Sequence, residues 1–347
     1  MFNKFMNNFY FGKSGKADFT EDDLPTNRWQ LFMDTLKVRM SALVRLNLMY
    51  VIVWIPTLFL LGMGAMNVIQ ISYQMDMGDG KSVYSMQAEV QAEDEATANS
   101  EEAQYYANLE VLSAEQARDR MLSVLFSTLL FLIPCVAITG PCTAGVSYVC
   151  RNWSRDEHAF IWSDFKDAVK ENWKQSLPVS LITGILPFVV YMCWTFYGGM
   201  AANSAVMVIP QVLVLMIGLV WAISVTYMHP MIVSYKLKFR DVLRNSILLA
   251  IARLPMSVGI RLLHMVPLLI TLAIAFFWNY SYGLLFALVY YLLIGFSLSR
   301  FVTASFTNGV FDRFINSHIE GAKVNRGLRV VDDDDDDEDD EDAAEES

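Results

Sequence analysis

Six uninterrupted apolar stretches restrict the fold of this chain more than any other feature. Each is about 20 residues long, which is the length that a helix needs to cross a hydrocarbon layer of about 30 Å. Because a backbone in lipid must satisfy its hydrogen bonds internally, the stretches are predicted to be helices. A β-barrel would need alternating apolar and polar residues, and these runs do not alternate. The predicted spans are Leu46–Val68, Met121–Cys142, Leu177–Met200, Val206–His229, Met256–Trp278 and Tyr282–Ala304.

The positions of Lys and Arg predict that both termini lie in the cytoplasm. Of 26 basic residues, 22 precede span one, lie from the end of span six onward (counting Arg300), or lie between spans two and three or four and five. Three lie in the loop after span one, and Arg261 lies inside span five. Basic residues favour the cytoplasmic side, so this bias predicts an N-in, C-in, multi-pass protein of the cytoplasmic membrane.

Acidic residues concentrate in two segments, so the net charge of −11 says little about the body of the chain. The extracytoplasmic loop 69–120 is rich in Ala, Glu and Gln between Met86 and Gln116, which favours helix. An unstructured acidic loop is the alternative. The predicted regions are a cytoplasmic N-terminal segment (1–45) with an amphipathic helix at Arg28–Val44, a six-helix transmembrane domain (46–304), a cytoplasmic C-terminal segment (305–331) and a disordered acidic tail (332–347).

Two cytoplasmic segments have the pattern of amphipathic helices. Asp156–Gln175 carries aromatic residues on one face and lysines on another, which suits either the inner membrane interface or a plain connector. Tyr235–Leu254 is the second such helix, and both lead through a proline into a two-span hairpin, which is the pattern of a duplicated unit. The candidate docking residues on the first helix are Phe165, Lys166, Lys170 and Trp173.

Three stretches carry a resemblance to a known family. Span one opens with Leu-Asn-Leu-Met-Tyr at 46–50, and span two ends in Ile-Thr-Gly-Pro-Cys-Thr-Ala-Gly at 138–145. The helix that follows contains Asp-Phe-Lys at 164–166 and Glu-Asn-Trp-Lys at 171–174. In this order they resemble the YesL-type family of six-span bacterial membrane proteins, whose biochemical function is uncharacterised.

The resemblance covers about 27–317, and the long loop after span one and the acidic tail depart from the family's layout. Such proteins are often found in genomic company with carbohydrate uptake and degradation systems of Gram-positive bacteria. The resemblance therefore implies an accessory or regulatory role beside sugar transport, by association and without a mechanism.

Two sets of residues inside or beside the spans are candidates for a functional role. Thr139, Gly140, Pro141 and Gly145 form a candidate functional turn, because proline removes a backbone donor and glycine permits a break. Its alternative is a turn at the end of span two with small residues for helix packing. Polar residues within lipid are costly, and Arg261 either marks a functional site or extends back to the surface. The candidate intramembrane polar residues are Gln211, Arg261, His264 and Asn279, and Asn47 is a further candidate for an interhelical hydrogen bond.

The motifs of common enzymes are absent from the sequence. It contains no phosphate-binding glycine loop, no dinucleotide fingerprint and no His-Glu-x-x-His, and its four histidines are scattered. We therefore expect no enzyme, cofactor, metal site or nucleic-acid partner. Two hypotheses stay open. The protein is a non-catalytic component that contacts the bilayer and assists a transporter through its cytoplasmic helices, or it is itself a small-solute transporter or channel.

Overall fold

The computed structural model describes residues 24–93 and 101–329, and their regular elements are helical. The predicted acidic tail lies outside these ranges. The prediction of an all-α membrane helix bundle is confirmed for the described residues. A π-helical turn, Tyr291–Gly295, joins α9 to α10, and these three form what we call the last helix. The α-helices are α1 Arg28–Gln74, α2 Val83–Glu93, α3 Glu101–Ala107, α4 Ala114–Trp153, α5 Ser163–Ala201, α6 Val208–Ser234, α7 Phe239–Ala252, α8 Leu254–Phe277, α9 Tyr280–Tyr290 and α10 Phe296–Phe314.

Six helical segments are long and apolar enough to cross a membrane, as the sequence predicted. They comprise α1, α4, α5, α6, α8 and the last helix. Several exceed the length that a bilayer requires. With 47 residues, α1 is about 70 Å long, and α5, with 39, is about 58 Å long. The helix α5 is therefore longer than the hydrocarbon layer is thick, and the predicted span at Leu177 would place its N-terminal part outside that layer.

The helix ends that the sequence assigns to the cytoplasm meet at one end of the bundle, which we call the basic end. Arg28 at the start of α1 forms an ion pair with Asp312 of the last helix at 2.6 Å. Asn308 of the last helix donates to the Ser154 hydroxyl, at the end of α4, at 2.6 Å. The opposite end, with the turns after α5 and α8, is called the far end.

Most of the buried core lies toward the basic end. One apolar cluster includes Leu43, Tyr50 and Trp153, and a second includes Tyr227 and Phe311. By contrast, the most apolar 18-residue stretches of α6 and α8 contain no buried residue. The protein packs tightly where its spans approach the basic end and leaves the rest of α6 and α8 exposed.

The turn predicted at Thr139–Gly145 is wrong, because α4 runs through this stretch without a break. A Cβ on Gly140 would lie 2.5 Å from the Ser176 carbonyl oxygen, and one on Gly145 would lie 2.7 Å from the Phe165 ring. The two glycines allow α4 and α5 to pack closely, and this packing keeps the proline between them inside a helix. The alternative interpretation combined a turn at the end of span two with small residues for helix packing. Its packing role is confirmed, and its turn is wrong.

The two predicted amphipathic helices differ in structure. The first is wrong as a separate helix. The chain is irregular from 157 to 160 and turns at 161–162 before α5 begins, and α5 continues through Pro178 into span three. The second is confirmed as α7, and a break at Arg253 separates it from α8. Pro255 lies in the first turn of α8, where a missing N–H costs nothing. In the pattern of a duplicated unit, each unit is an amphipathic helix followed by a two-span hairpin. The two units therefore differ at the junction between that helix and the first span of the hairpin.

The acidic loop after span one is largely helical where it is described, as its composition predicted. Tyr84 of α2 and Tyr106 of α3 stack with ring centres 5.0 Å apart. Met75 and Leu112 pair as a β-bridge, and Leu112 is buried against Ile71 at the end of α1. These contacts anchor the loop on the far end of the bundle.

Candidate binding groove

A groove of about 1280 Å³ runs between α8 and the last helix, with the N-terminal part of α1 along its side. We call it the lateral groove. Near the far end the two helices touch, since a Cβ on Gly283 would lie 2.8 Å from the Thr271 carbonyl oxygen. They meet again where His264 Nε2 lies 2.9 Å from the Ser299 carbonyl oxygen. Between these contacts the groove separates the two helices, and we call this part of the last helix, which contains the π-helical turn, the arch.

Asn47 of α1 supports this arch from the other side. A π-helical turn disturbs the regular backbone hydrogen bonding of its helix. The Asn47 amide donates to the carbonyl oxygens of Tyr291 and Leu292, at 2.9 and 2.7 Å, and its side-chain oxygen accepts from the Ser297 N–H at 2.9 Å. Asn47 is fully buried. Its predicted role as an interhelical hydrogen-bonding residue is confirmed.

The walls of the lateral groove are largely apolar and open along one side. Met256 and Leu263 of α8 are 55% and 52% exposed, although they line the groove. His264 contributes a polar group part-way along, and both ring nitrogens have partners. Nδ1 lies close to the Ile260 carbonyl oxygen, and Nε2 lies 3.2 Å from the Thr303 hydroxyl. His264 therefore links α8 to the last helix.

The mouth of the lateral groove, at the basic end, carries an excess of positive charge. Among the described residues that line the groove, Asp312 is the acidic one, and it is already paired with Arg28. The guanidinium groups of Arg253 and Arg313 lie 5.6 and 5.8 Å from the centre of the Phe314 ring. The arginines that line the groove are Arg28, Arg253, Arg300 and Arg313.

Arg261 adds a further charge beside the groove. It lies within electrostatic range of Arg300, and its Nε is buried with no hydrogen-bond partner within the described ranges. Arg300 is half-buried and lines the groove. In the described part of the chain, no acidic side chain forms an ion pair with either residue. Two arginines at the level of the predicted spans therefore lack a counter-charge.

The other predicted polar residues do not converge on this groove. Gln211 donates to the Trp194 carbonyl oxygen at 3.3 Å and links α6 to α5 near the far end. Asn279 caps α9 by accepting from the Ser281 N–H at 2.8 Å, which is a contact within its own helix. Of the candidate intramembrane residues, only Arg261 and His264 lie near each other, and neither Gln211 nor Asn279 lines the groove.

The residues of the predicted functional turn also lie away from the lateral groove. Thr139 is buried, and its hydroxyl donates to the Val136 carbonyl oxygen of its own helix at 2.8 Å. Gly140 and Gly145 are buried against α5, and Pro141 is half-buried between them. None of the four lines the groove. Their observed environment is the α4–α5 interface.

The candidate docking residues lie at the start of α5. Phe165 is turned inward against α4 and packs on the first apolar cluster. Lys166, Lys170 and Trp173 are exposed, with Trp173 47% exposed. The Lys174 ammonium lies 5.9 Å from the centre of the Trp173 ring. We call the exposed lysines and tryptophan, without Phe165, the α5 face.

Tyr235 closes the basic end between α6 and the end of the last helix. Its hydroxyl donates to the Asn316 side-chain oxygen at 2.7 Å. Burial raises the pKa of Tyr235 to about 12, although the nearby positive charge of Arg151 opposes this increase. The phenol is therefore neutral at physiological pH and remains a hydrogen-bond donor.

The groove and the arginines that line it are not predicted from the sequence. Arg253 and Arg300 were counted with the cytoplasmic basic residues, because hydropathy does not show how neighbouring helices align. The arch depends on a contact between α1 and a turn 244 residues later in the chain. Asn47, a polar residue in span one, was the available signal for this contact. The sequence did not indicate which residues Asn47 would contact.

A family model described as "Protein of unknown function, DUF624" matches residues 120–194. The match covers most of α4 and α5, including the two glycines that bring these helices together. It also includes two of the three stretches on which the resemblance rests. No curated protein and no solved structure matches the chain.

Proposed function

We propose that this chain is a YesL-type protein of the cytoplasmic membrane that assists or regulates a carbohydrate transporter without catalysing a reaction itself. The family match gives a family of unknown function, and DUF624 is the family often called YesL. The carbohydrate connection comes from the resemblance. The structure contributes a candidate surface for the partner.

The observation that carries the proposal is the α5 face. The part of α5 that bears it extends beyond the predicted hydrocarbon layer, and Lys166, Lys170 and Trp173 are exposed. Packing on the glycines of α4 holds this part of α5 in place. A fixed face with one aromatic ring and several positive charges suits an acidic, partly apolar surface on another protein.

The alternative, a transporter or channel in its own right, receives less support from the geometry. A path for a polar solute would bring several polar side chains around one cavity. Gln211 and Asn279 instead lie near the far end with backbone partners, whereas His264 lies in the lateral groove. The groove that is present has mainly apolar walls.

Deletion of the gene and measurement of uptake over a panel of sugars, with the transporter left intact, tests the proposal. We expect uptake of one sugar or a few related sugars to fall and the full-length protein to restore it. The triple variant Lys166→Glu, Lys170→Glu and Trp173→Ala should fail to restore it at equal membrane abundance. Lys236→Glu with Lys238→Glu, which changes exposed lysines beside α7, is the control and should restore uptake.

The transporter alternative is tested with the purified protein in liposomes. We expect no flux of the affected sugar above that of protein-free liposomes. Saturable flux by the protein alone would overturn the accessory role, and so would full restoration of uptake by the triple variant.

A further inference from the structure

The lateral groove combines an apolar cleft with positive charges that have no counter-charge. Its walls are formed by exposed side chains of α8 and by the arched last helix. Arg253 approaches the groove from the start of α8, Arg313 approaches it from the last helix, and both guanidinium groups lie near the Phe314 ring. The Nε of Arg253 is buried without a hydrogen-bond partner in the part of the chain that the structure describes. The Nε of Arg261, which lies near Arg300, is also buried without a hydrogen-bond partner among the described residues.

We propose that the lateral groove is a binding site for an anionic phospholipid. Its phosphate is held by Arg253 and Arg313, whose guanidinium groups both lie at the Phe314 ring, and its acyl chains lie against the apolar wall formed by Met256, Leu263 and Phe306. Guanidinium groups are well suited to phosphate, because they offer several fixed N–H donors. Basic pockets between spans on the cytoplasmic side are places where acidic lipid headgroups bind.

Charge and shape together favour this occupant over others. A zwitterionic lipid would fill the cleft, but it would leave the net positive charge of the mouth unbalanced. The acidic run Asp332–Asp342 could pair with the arginines, and the chain before it reaches the mouth at Asn325. That run has no apolar side chain, so it cannot cover the walls. An anionic phospholipid meets both requirements.

This inference does not depend on the accessory role proposed above. A protein that assists a transporter and one that conducts a solute could both hold a lipid in this groove. The test below measures lipid retention and uses no transport readout, so its failure would leave the proposed function untouched.

The experiment is native mass spectrometry of the purified full-length protein, released from detergent micelles that contain equal amounts of phosphatidylglycerol and phosphatidylcholine. We expect one phosphatidylglycerol to be retained in preference to phosphatidylcholine. Arg253→Gln with Arg313→Gln should lower that preference by roughly 25-fold, since each arginine near an acidic lipid contributes about a fivefold effect. Arg240→Gln with Arg244→Gln, at exposed positions of α7, is the matched control and should change it less than about twofold.

A variant with Arg253→Lys and Arg313→Lys separates loss of charge from loss of fold. It should keep most of the preference, because the positive charges remain. Equal retention of both lipids by the unchanged protein would overturn the proposal, and so would full preference in the glutamine variant. A preference that appears only when the acids of Asp332–Asp342 are changed to amides would assign the arginines to the tail and likewise overturn it.

Discussion

At the scale of single residues, Asn47 has the most specific contacts in the described part of the chain. Its amide bonds to two carbonyl oxygens of the π-helical region and to the N–H of Ser297, in a buried position without competing water. A polar side chain in a span is costly unless it is paired, so its place in the sequence suggested a partner. Hydropathy could not identify that partner, because it lies in another helix at the other end of the chain.

Replacement of Asn47 by Leu should destabilise the protein. The change leaves the buried Ser297 N–H and two half-buried carbonyl groups without this partner, and an unsatisfied buried group costs about 1–3 kcal/mol. Thermal unfolding of the purified protein in detergent measures the effect. Asn67→Leu, at an exposed position of the same helix, is the control and should cause no comparable loss. Equal stability of the two variants would contradict the role given to Asn47.

At the scale of helices, the α4–α5 pair illustrates how tertiary packing overrides local signals. Gly140, Pro141 and Pro178 each favour a break, yet both helices continue through them. The close approach at Gly140 places the Ser176 carbonyl oxygen where a side chain would otherwise lie. A single sequence shows the breakers but not the facing helix that holds them, and for this reason the turn and the separate interfacial helix were predicted wrongly.

A methyl group at Gly140 should weaken this helix pair. In Gly140→Ala the new Cβ lies 2.5 Å from a backbone oxygen, so the helices must move apart, and overpacking of this kind costs about 1–3 kcal/mol. Gly62→Ala in α1 is the control, because a Cβ at that position meets no atom within 4 Å. In the same detergent, the temperature of unfolding and the resistance to protease should fall for Gly140→Ala and should not change for Gly62→Ala. An unchanged Gly140→Ala protein would show that the close approach is not needed.

At the scale of the whole molecule, the six spans were predictable because a long apolar run has few ways to fold in lipid. The charge bias extends this reasoning to orientation and predicts that the basic end lies in the cytoplasm. The groove was not predictable, since it arises from an arch, a π-helical turn and an alignment of distant helices. Arg253 and Phe314 are adjacent in space, but no pattern in the sequence indicates that they are.

Labelling of single cysteines tests the predicted orientation. Ser204→Cys lies in the turn after α5, and Lys236→Cys lies beside α7, both at exposed positions. We expect a membrane-impermeant maleimide added to intact cells to label position 204 but not position 236, and to label both after permeabilisation. The reverse pattern would contradict the N-in, C-in topology. The background for both variants has the four native cysteines replaced, namely Cys135, Cys142, Cys150 and Cys193.

The unequal distribution of buried residues along the spans has a consequence for how such a sequence can change over generations. The most apolar stretches of α6 and α8 bury no residue, so one large aliphatic side chain there can replace another without disturbing a neighbour. Near the basic end, a glycine or an asparagine meets atoms on a facing helix and cannot be exchanged so freely. We expect relatives to diverge readily in the first region and slowly in the second. Relatives of this protein should therefore share its small and polar residues more often than the individual residues of the apolar runs that define its spans.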